Sequence, residues 1–345
     1  MLYTTTRNNT ETYTACRVLA SNRGPDGGHY IPFRLPRFSP EEIRTMAGNG
    51  FNRNLAETMN LLFGCGLNGY DVEFALGRRS VRLQQLGQKI IMGQIWYNTD
   101  WCFDRMLRDL ARLALPNQED TPDVRGWAAV GIRIAILFGI FGELIREGMA
   151  GEDRKIDLCM VSGDFSAPMA CWYAKNMGLP IGNIICCCNE NAALWDFFCH
   201  GQLRTDTVAA HTLVPAADVA VPDGLERLIC LYGGPQEVER YLEAVRTGST
   251  YYVEDGFLQR LRQGIYVTVS SEKRIREVIP SAYSTHGYLL TPTDALAYAG
   301  LQDYRARTGE MPTALIMTEN SPSLELSALA PILGVSEESL KQYLK

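Results

Sequence analysis

The parts of this 345-residue chain that could do chemistry are one short turn and three carboxylates. The turn is Ser162-Gly163-Asp164-Phe165-Ser166. It follows an apolar run, "KIDLCMVS" (155–162), and precedes a helical pattern, "APMACWYAKNMG" (167–178). A strand–turn–helix of this kind binds anions through free backbone N–H groups and the positive end of the helix dipole. Residues 162–167 are therefore an expected anion site, and a small anionic or phosphorylated ligand is its expected partner. The alternative is a plain structural turn. Asp104, Asp164 and Glu319 are the carboxylates; paired carboxylates run general acid–base chemistry when one cleft holds them.

Other reactive side chains point to less. The ten cysteines are Cys16, Cys65, Cys102, Cys159, Cys171, Cys186, Cys187, Cys188, Cys199 and Cys230, and no two stand in a CxxC pair, so zinc ribbons have no support. "NIICCCNEN" (183–191) reads as a buried strand in which cysteine is a small hydrophobe. His29, His200, His211 and His286 have no spaced partners for a metal or a triad, so no metal is expected.

The elements that must hold these residues follow from periodicity. "KIDLCMVS", "GNIICCCN" (182–189), "IYVTVSS" (265–271) and "TALIMTE" (313–319) are strand-length apolar runs separated by helical patterns. That alternation predicts βαβ units and a mostly parallel sheet. Gly178 is the expected C-cap of the helix after the turn. The first 85 residues are richer in turns, with helices opened by "SPEEI" and "NRNLAETMNLL". They read as an α+β unit (1–85) before an α/β core (86–345).

Composition narrows the function classes. A net charge of −6 leaves no electrostatic footprint for nucleic acid or an anionic membrane. The start of the chain shows no basic and apolar leader, so a cytoplasmic location without disulfides is expected. The apolar run 127–144 carries Arg133 and is short for a membrane span, so a buried helix is expected.

Four stretches together resemble the threonine synthase family, pyridoxal-phosphate (PLP) enzymes with a tryptophan-synthase-β-like fold. "YTTTR" (3–7) with "GPDGGHYIP" (24–32) resembles the family's N-terminal signature. "VSGDFSAPMACWYAKNMGLPIGNIICCCNENAALWDFF" (161–198) resembles its Gly-Asn/Asp-Phe-Gly loop and the helix and strand that follow. "GLERLICLYGG" (224–234) and "HGYLLTPTDALAY" (286–298) resemble two later segments. The resemblance implies a three-layer αβα fold with PLP in the cleft, its phosphate in Ser162–Ser166. It also implies a Ser/Thr at the pyridine nitrogen, at Thr318 or Glu319 depending on register.

Against that pattern stand four departures. The family's PLP lysine lies in a Phe-Lys-Asp triplet; here the triplet is Phe103-Asp104-Arg105. The six lysines are Lys89, Lys155, Lys175, Lys273, Lys341 and Lys345, so none lies between 90 and 154. A Schiff base needs a primary amine. No Ser-Gly-Asp-Thr-Gly loop lies between Arg105 and Lys155, which predicts a truncated small subdomain. Ser166 replaces a family glycine and Pro168 removes an N–H. The reading is a threonine-synthase-like protein that has lost PLP catalysis and holds no PLP covalently, with a residual role in binding, in a protein partnership or as a homo-oligomer. The alternatives are an active PLP lyase that uses Lys89 or Lys175, and a PLP-independent enzyme that uses the carboxylates.

Overall fold

The computed structural model describes residues 1–77, 81–87, 89–95, 103–115 and 122–344. The strands are β1 (Leu2–Thr5), β2 (Tyr13–Thr14), β3 (Tyr30–Pro32), β4 (Arg82–Leu86), β5 (Ile90–Gln94), β6 (Ile156–Val161), β7 (Ile181–Cys188), β8 (Gln202–Arg204), β9 (Thr250–Tyr252), β10 (Ile265–Val269) and β11 (Ala314–Thr318). The helices up to the central turn are α1 (Ala15–Ala20), α2 (Pro40–Thr45), α3 (Phe51–Phe63), α4 (Gly69–Leu76), α5 (Phe103–Ala114), α6 (Gly126–Arg146) and α7 (Ser166–Met177). Beyond it come α8 (Ala193–His200), α9 (Leu225–Thr247), α10 (Asp255–Leu261), α11 (Glu272–His286), α12 (Pro292–Thr308), α13 (Leu326–Leu333) and α14 (Glu337–Tyr343).

The main sheet runs β10-β7-β6-β11-β5-β4. Its first five strands are parallel, and β4 closes the edge antiparallel to β5. Both faces are covered, so the central strands read as continuous apolar runs. Side-chain alternation then sorts each strand between two cores. Ile184, Cys186 and Cys188 of β7 face the core built with α3, α6 and α7. Ile185 and Cys187 face the core built with α11, α12 and α13. The result is a three-layer α/β fold with a mostly parallel sheet. The cysteine run is core material, and its buried Cys188 thiol is pushed up to about 12 by desolvation. Cys102 lies outside the described residues.

The N-terminal unit is the small sheet β2-β1-β3 with its helices. Its core is continuous with that of the main sheet, from Tyr3 to Leu315. Strand β4 begins at Arg82 and pairs with β5, so the main sheet starts before the expected boundary at 85. Ser39 and Glu42 form a capping box at α2, as "SPEEI" predicts. Helix α6 is long and apolar enough to cross a membrane, yet it is packed inside the fold, from Trp127 to Leu144 almost wholly buried. Among the described residues it is the only helix between α5 and β6.

Candidate functional site

Strands β6, β11 and β5 are neighbours and parallel. Parallel sheets place ligands at the carboxyl ends of their strands, where the chain leaves for a helix. Ser162 follows β6, Glu319 follows β11, and Asp104 stands in the first turn of α5, the helix after β5. A cavity of about 350 Å³ opens there. Asp104, Asp164 and Glu319 all line it. The tertiary structure thus brings together three carboxylates that stand far apart in the chain. Residues 96–102, between β5 and α5, lie outside the described residues.

The turn after β6 forms as expected: a strand, a bend and the 12-residue helix α7 capped by Gly178. Gly163 and Phe165 both have positive φ, at 46° and 72°. For phenylalanine this conformation costs roughly 1–2 kcal/mol. The ring of Phe165 is fully buried, against Phe198, which offsets that cost. Within the turn the Phe165 N–H donates to the Ser162 carbonyl at 2.9 Å. The Ser166 N–H donates to Asp164 Oδ1 at 2.9 Å, and the Ser166 hydroxyl to Asp164 Oδ2 at 2.7 Å. The Asp164 carboxylate is thus held by Ser166, two residues on in the same turn.

Thr318 and Glu319 part company at the end of β11. Thr318 is fully buried and bonded to the Tyr288 hydroxyl, which also accepts from the Gln94 amide at 2.9 Å. Glu319 is the one that lines the cavity. Its side chain keeps 32% of its surface exposed and pairs with Arg133 Nη2 at 3.3 Å. Burial raises its pKa; Arg133 opposes the rise, and Asp104 and Asp164 add to it.

Two lining residues carry no anticipated role. Arg133 projects from the middle of α6, its guanidinium 4.1 Å from the centre of the Phe103 ring. A lone guanidinium within an apolar helix is the signal that marks it. Asp294 is the N3 residue of α12 and shares a capping box with Thr291. It is 4% exposed, and desolvation pushes its carboxyl up to about 8. "TPTD" marks the cap, but nothing local marks the burial.

The lysines lie elsewhere. Lys89 precedes β5, at the opposite end of the sheet, and its ammonium donates to the Met311 carbonyl at 2.9 Å. Lys175 sits at the far end of α7 and donates to the Gly182 carbonyl. Its distance along the helix from the turn is about 15 Å at 1.5 Å per residue. No lysine lines the cavity among the described residues. PLP needs an amine, a phosphate cradle and a partner for its ring nitrogen. Here the amine is missing from the lining, and the strand-end residue is a carboxylate already paired to arginine. The residues present do not fit that group.

The fold is the architecture of the threonine synthases. The PLP-bound threonine synthase of Brucella melitensis superimposes with a TM-score of 0.84 at 17% identity, covering 97% of this chain and 92% of that one. The yeast threonine synthase gives 0.81 at 15% identity, over 96% and 90%. Residues 2–67 match the family model "Threonine synthase N terminus". "Threonine synthase-like 1" of Homo sapiens is 30% identical over 159 residues, 45% of this chain and 21% of that protein. "Threonine synthase" of Pseudomonas aeruginosa is 26% identical over 181 residues, 52% of this chain and 37% of that protein. The matched segment thus spans about a fifth of the length of the threonine synthase-like 1 relatives. The chain is threonine-synthase-like, in its N-terminal domain and in its fold.

Proposed function

We propose that this is a threonine-synthase-like protein that has lost PLP catalysis and keeps its cleft as a binding site. One observation carries the reading. Asp104 stands where the resemblance places the family's lysine, on the rim of the cavity, and both candidate replacement amines are bonded to carbonyls away from it. An aspartate cannot form a Schiff base. Among the described residues α6 is the one helix between α5 and β6, which supports a reduced small subdomain. The reading is tested by incubating the protein with PLP, reducing with borohydride and mapping peptides by mass. The expected result is no specific pyridoxyl-lysine. A stoichiometric adduct on Lys89 or Lys175 overturns the reading and favours an active lyase.

A second reading has its own support. Asp104, Asp164 and Glu319 surround one cavity, and the pKa of Glu319 is raised. Two carboxylates in unequal environments are the arrangement of acid–base enzymes that need no PLP. The pairing of Glu319 with Arg133 and of Asp164 with Ser166 leaves the binding role the better supported of the two.

A further inference from the structure

We infer that the cavity at the carboxyl ends of β5, β6 and β11 takes an aliphatic diamine. One ammonium lies at the rim beside Asp104 and Asp164, the other inside beside Glu319 and Asp294. The inference rests on the binding role proposed above and names the class of its ligand.

The lining is short of positive charge. Four carboxyl groups, of Asp104, Asp164, Asp294 and Glu319, face two guanidiniums, of Arg125 and Arg133. No lysine or histidine lines the cavity among the described residues. Arg125 is engaged elsewhere: its Nε and Nη2 hold the two oxygens of Asp123, each at 2.9 Å. Arg133 reaches Glu319 with Nη2 alone, at 3.3 Å, so the pair lacks the bidentate contact by which arginine best satisfies a carboxylate. Asp104 stands where the resemblance places a lysine, so the rim carries the opposite charge.

Asp294 is an independent sign. It enters the lining from α12, on the other face of the sheet from α5 and α7, and is 4% exposed. Among the described residues Thr291 alone bonds its carboxyl, with the N–H reaching Oδ2 at 3.3 Å. A carboxyl this deeply buried needs either its proton or a cation beside it. Without a ligand it keeps the proton, and the charges of Glu325 and Glu319 add to that tendency. An ammonium against it would let it ionise.

The arrangement suits an extended cation and not a metal ion. Among the described residues no three such groups stand close enough to hold one metal. They are spread around a cavity of about 350 Å³, in the size range of small-molecule sites, with Leu107, Leu137 and Met317 in its walls. Asp104 and Asp164 are exposed and Asp294 is buried, so carboxyl groups sit at two depths. An alkyl chain with an ammonium at each end matches both: the walls cover its methylenes and each end meets carboxylates. The charges of Asp104 and Asp164 also press on Glu319, a repulsion that a cation relieves and an anion worsens. The ligand is thus opposite in charge to the one the turn after β6 suggests by itself.

The experiment is calorimetric titration of the whole chain at neutral pH, on wild type, Glu319→Gln, Asp294→Asn and Asp104→Asn. The probes are 1,4-diaminobutane, 1-aminobutane, Nα-acetyl-lysine amide, butyrate, inorganic phosphate and Mg²⁺. Wild type should bind the diamine saturably and the two monoamines about ten-fold more weakly. Butyrate, phosphate and Mg²⁺ should show no saturable binding. Glu319→Gln leaves Arg133 unpaired in the cavity and should weaken the diamine about ten-fold or more. Asp294→Asn and Asp104→Asn should each weaken it as well. Failure of the diamine to bind would overturn the inference. So would equal binding by wild type and variants, which is only the surface attraction of a chain with net charge −6. Tighter binding of phosphate or butyrate than of the diamine would reverse the assigned charge. Tighter binding of Nα-acetyl-lysine amide would give the cavity to a lysine of another protein, and overturns the inference too. If one variant does not melt cooperatively, the others decide by the same comparison. A cavity that prefers an anion would sink this inference and leave the binding role standing, whereas a pyridoxyl-lysine adduct would sink the loss of PLP catalysis without touching the titration.

Discussion

At the scale of single residues, the cleft stores charge in unequal ways. Asp294 is buried, and desolvation raises its carboxyl from the usual range to about 8. In the fold it keeps its proton where the unfolded chain, at about 3.9, has lost it. Its contribution to stability is therefore complete below about pH 4 and is lost as pH rises toward 8. The slope is at most about 1.4 kcal/mol per pH unit. Asp294→Asn removes the titration while its side-chain oxygen can still accept from the Thr291 N–H. The expected result is a melting temperature for the variant that improves relative to wild type between pH 5 and pH 8. Parallel melting profiles over that range would show that Asp294 is not held protonated.

At the scale of elements, the site depends on how closely α6 approaches α3. Gly142 is the tightest point. A Cβ there would stand 2.1 Å from Asn54 Nδ2 and 3.2 Å from the Met46 carbonyl. Those two groups are themselves hydrogen-bonded at 2.9 Å in the interior. Gly142→Ala gains roughly 1 kcal/mol of helix propensity. It loses a buried hydrogen bond, roughly 1–3 kcal/mol, and adds overpacking of about the same size. The loss wins, and urea unfolding should show a destabilisation of about 1–5 kcal/mol. An unchanged midpoint would mean that the two helices can separate at little cost. Because α6 carries Arg133, the same variant should also perturb the Arg133–Glu319 pair.

At the scale of the whole molecule, the N-terminal unit is tied to the start of α9 by an ionic cluster around the buried Glu226. Glu226 is 2% exposed and accepts from the Thr6 hydroxyl and from Arg7, at 3.1 Å for Nη2. Asp223 pairs with Arg23 and with His29. His29 is itself buried, and its Nε2 lies 2.9 Å from the Asp223 carbonyl. Its pKa is lowered by desolvation first and by Arg227 next, against the pull of Asp223. A lowered folded pKa means stability that is present above about pH 6.5 and lost as pH falls through the folded value. Acid should therefore loosen the N-terminal unit, with the hydrogen-exchange protection of β1 and β3, corrected for the intrinsic exchange rate, falling as pH falls from 7 to 5. His29→Leu should flatten that dependence. A variant with the same acid sensitivity would move the cause to other groups.

Local chemistry made much of this legible in advance. The apolar runs at 155–162, 182–189, 265–271 and 313–319 became β6, β7, β10 and β11, because strands buried on both faces leave an uninterrupted signal. Ser39 and Gly178 marked a helix start and a helix end because caps are made by neighbouring residues. The absence of lysine from 90 to 154 was a property of the chain alone. What only the tertiary structure decided was proximity. Glu319 rather than Thr318 faces the cavity because the end of β11 turns one side chain toward Tyr288 and the next toward Arg133. Asp104, Asp164, Asp294 and Glu319 share one cavity because the elements that carry them meet at the carboxyl ends of the central strands. Burial, desolvation and charge coupling depend on distances in space. Residues more than two hundred positions apart carry no mark in their own neighbourhoods of which others they will meet.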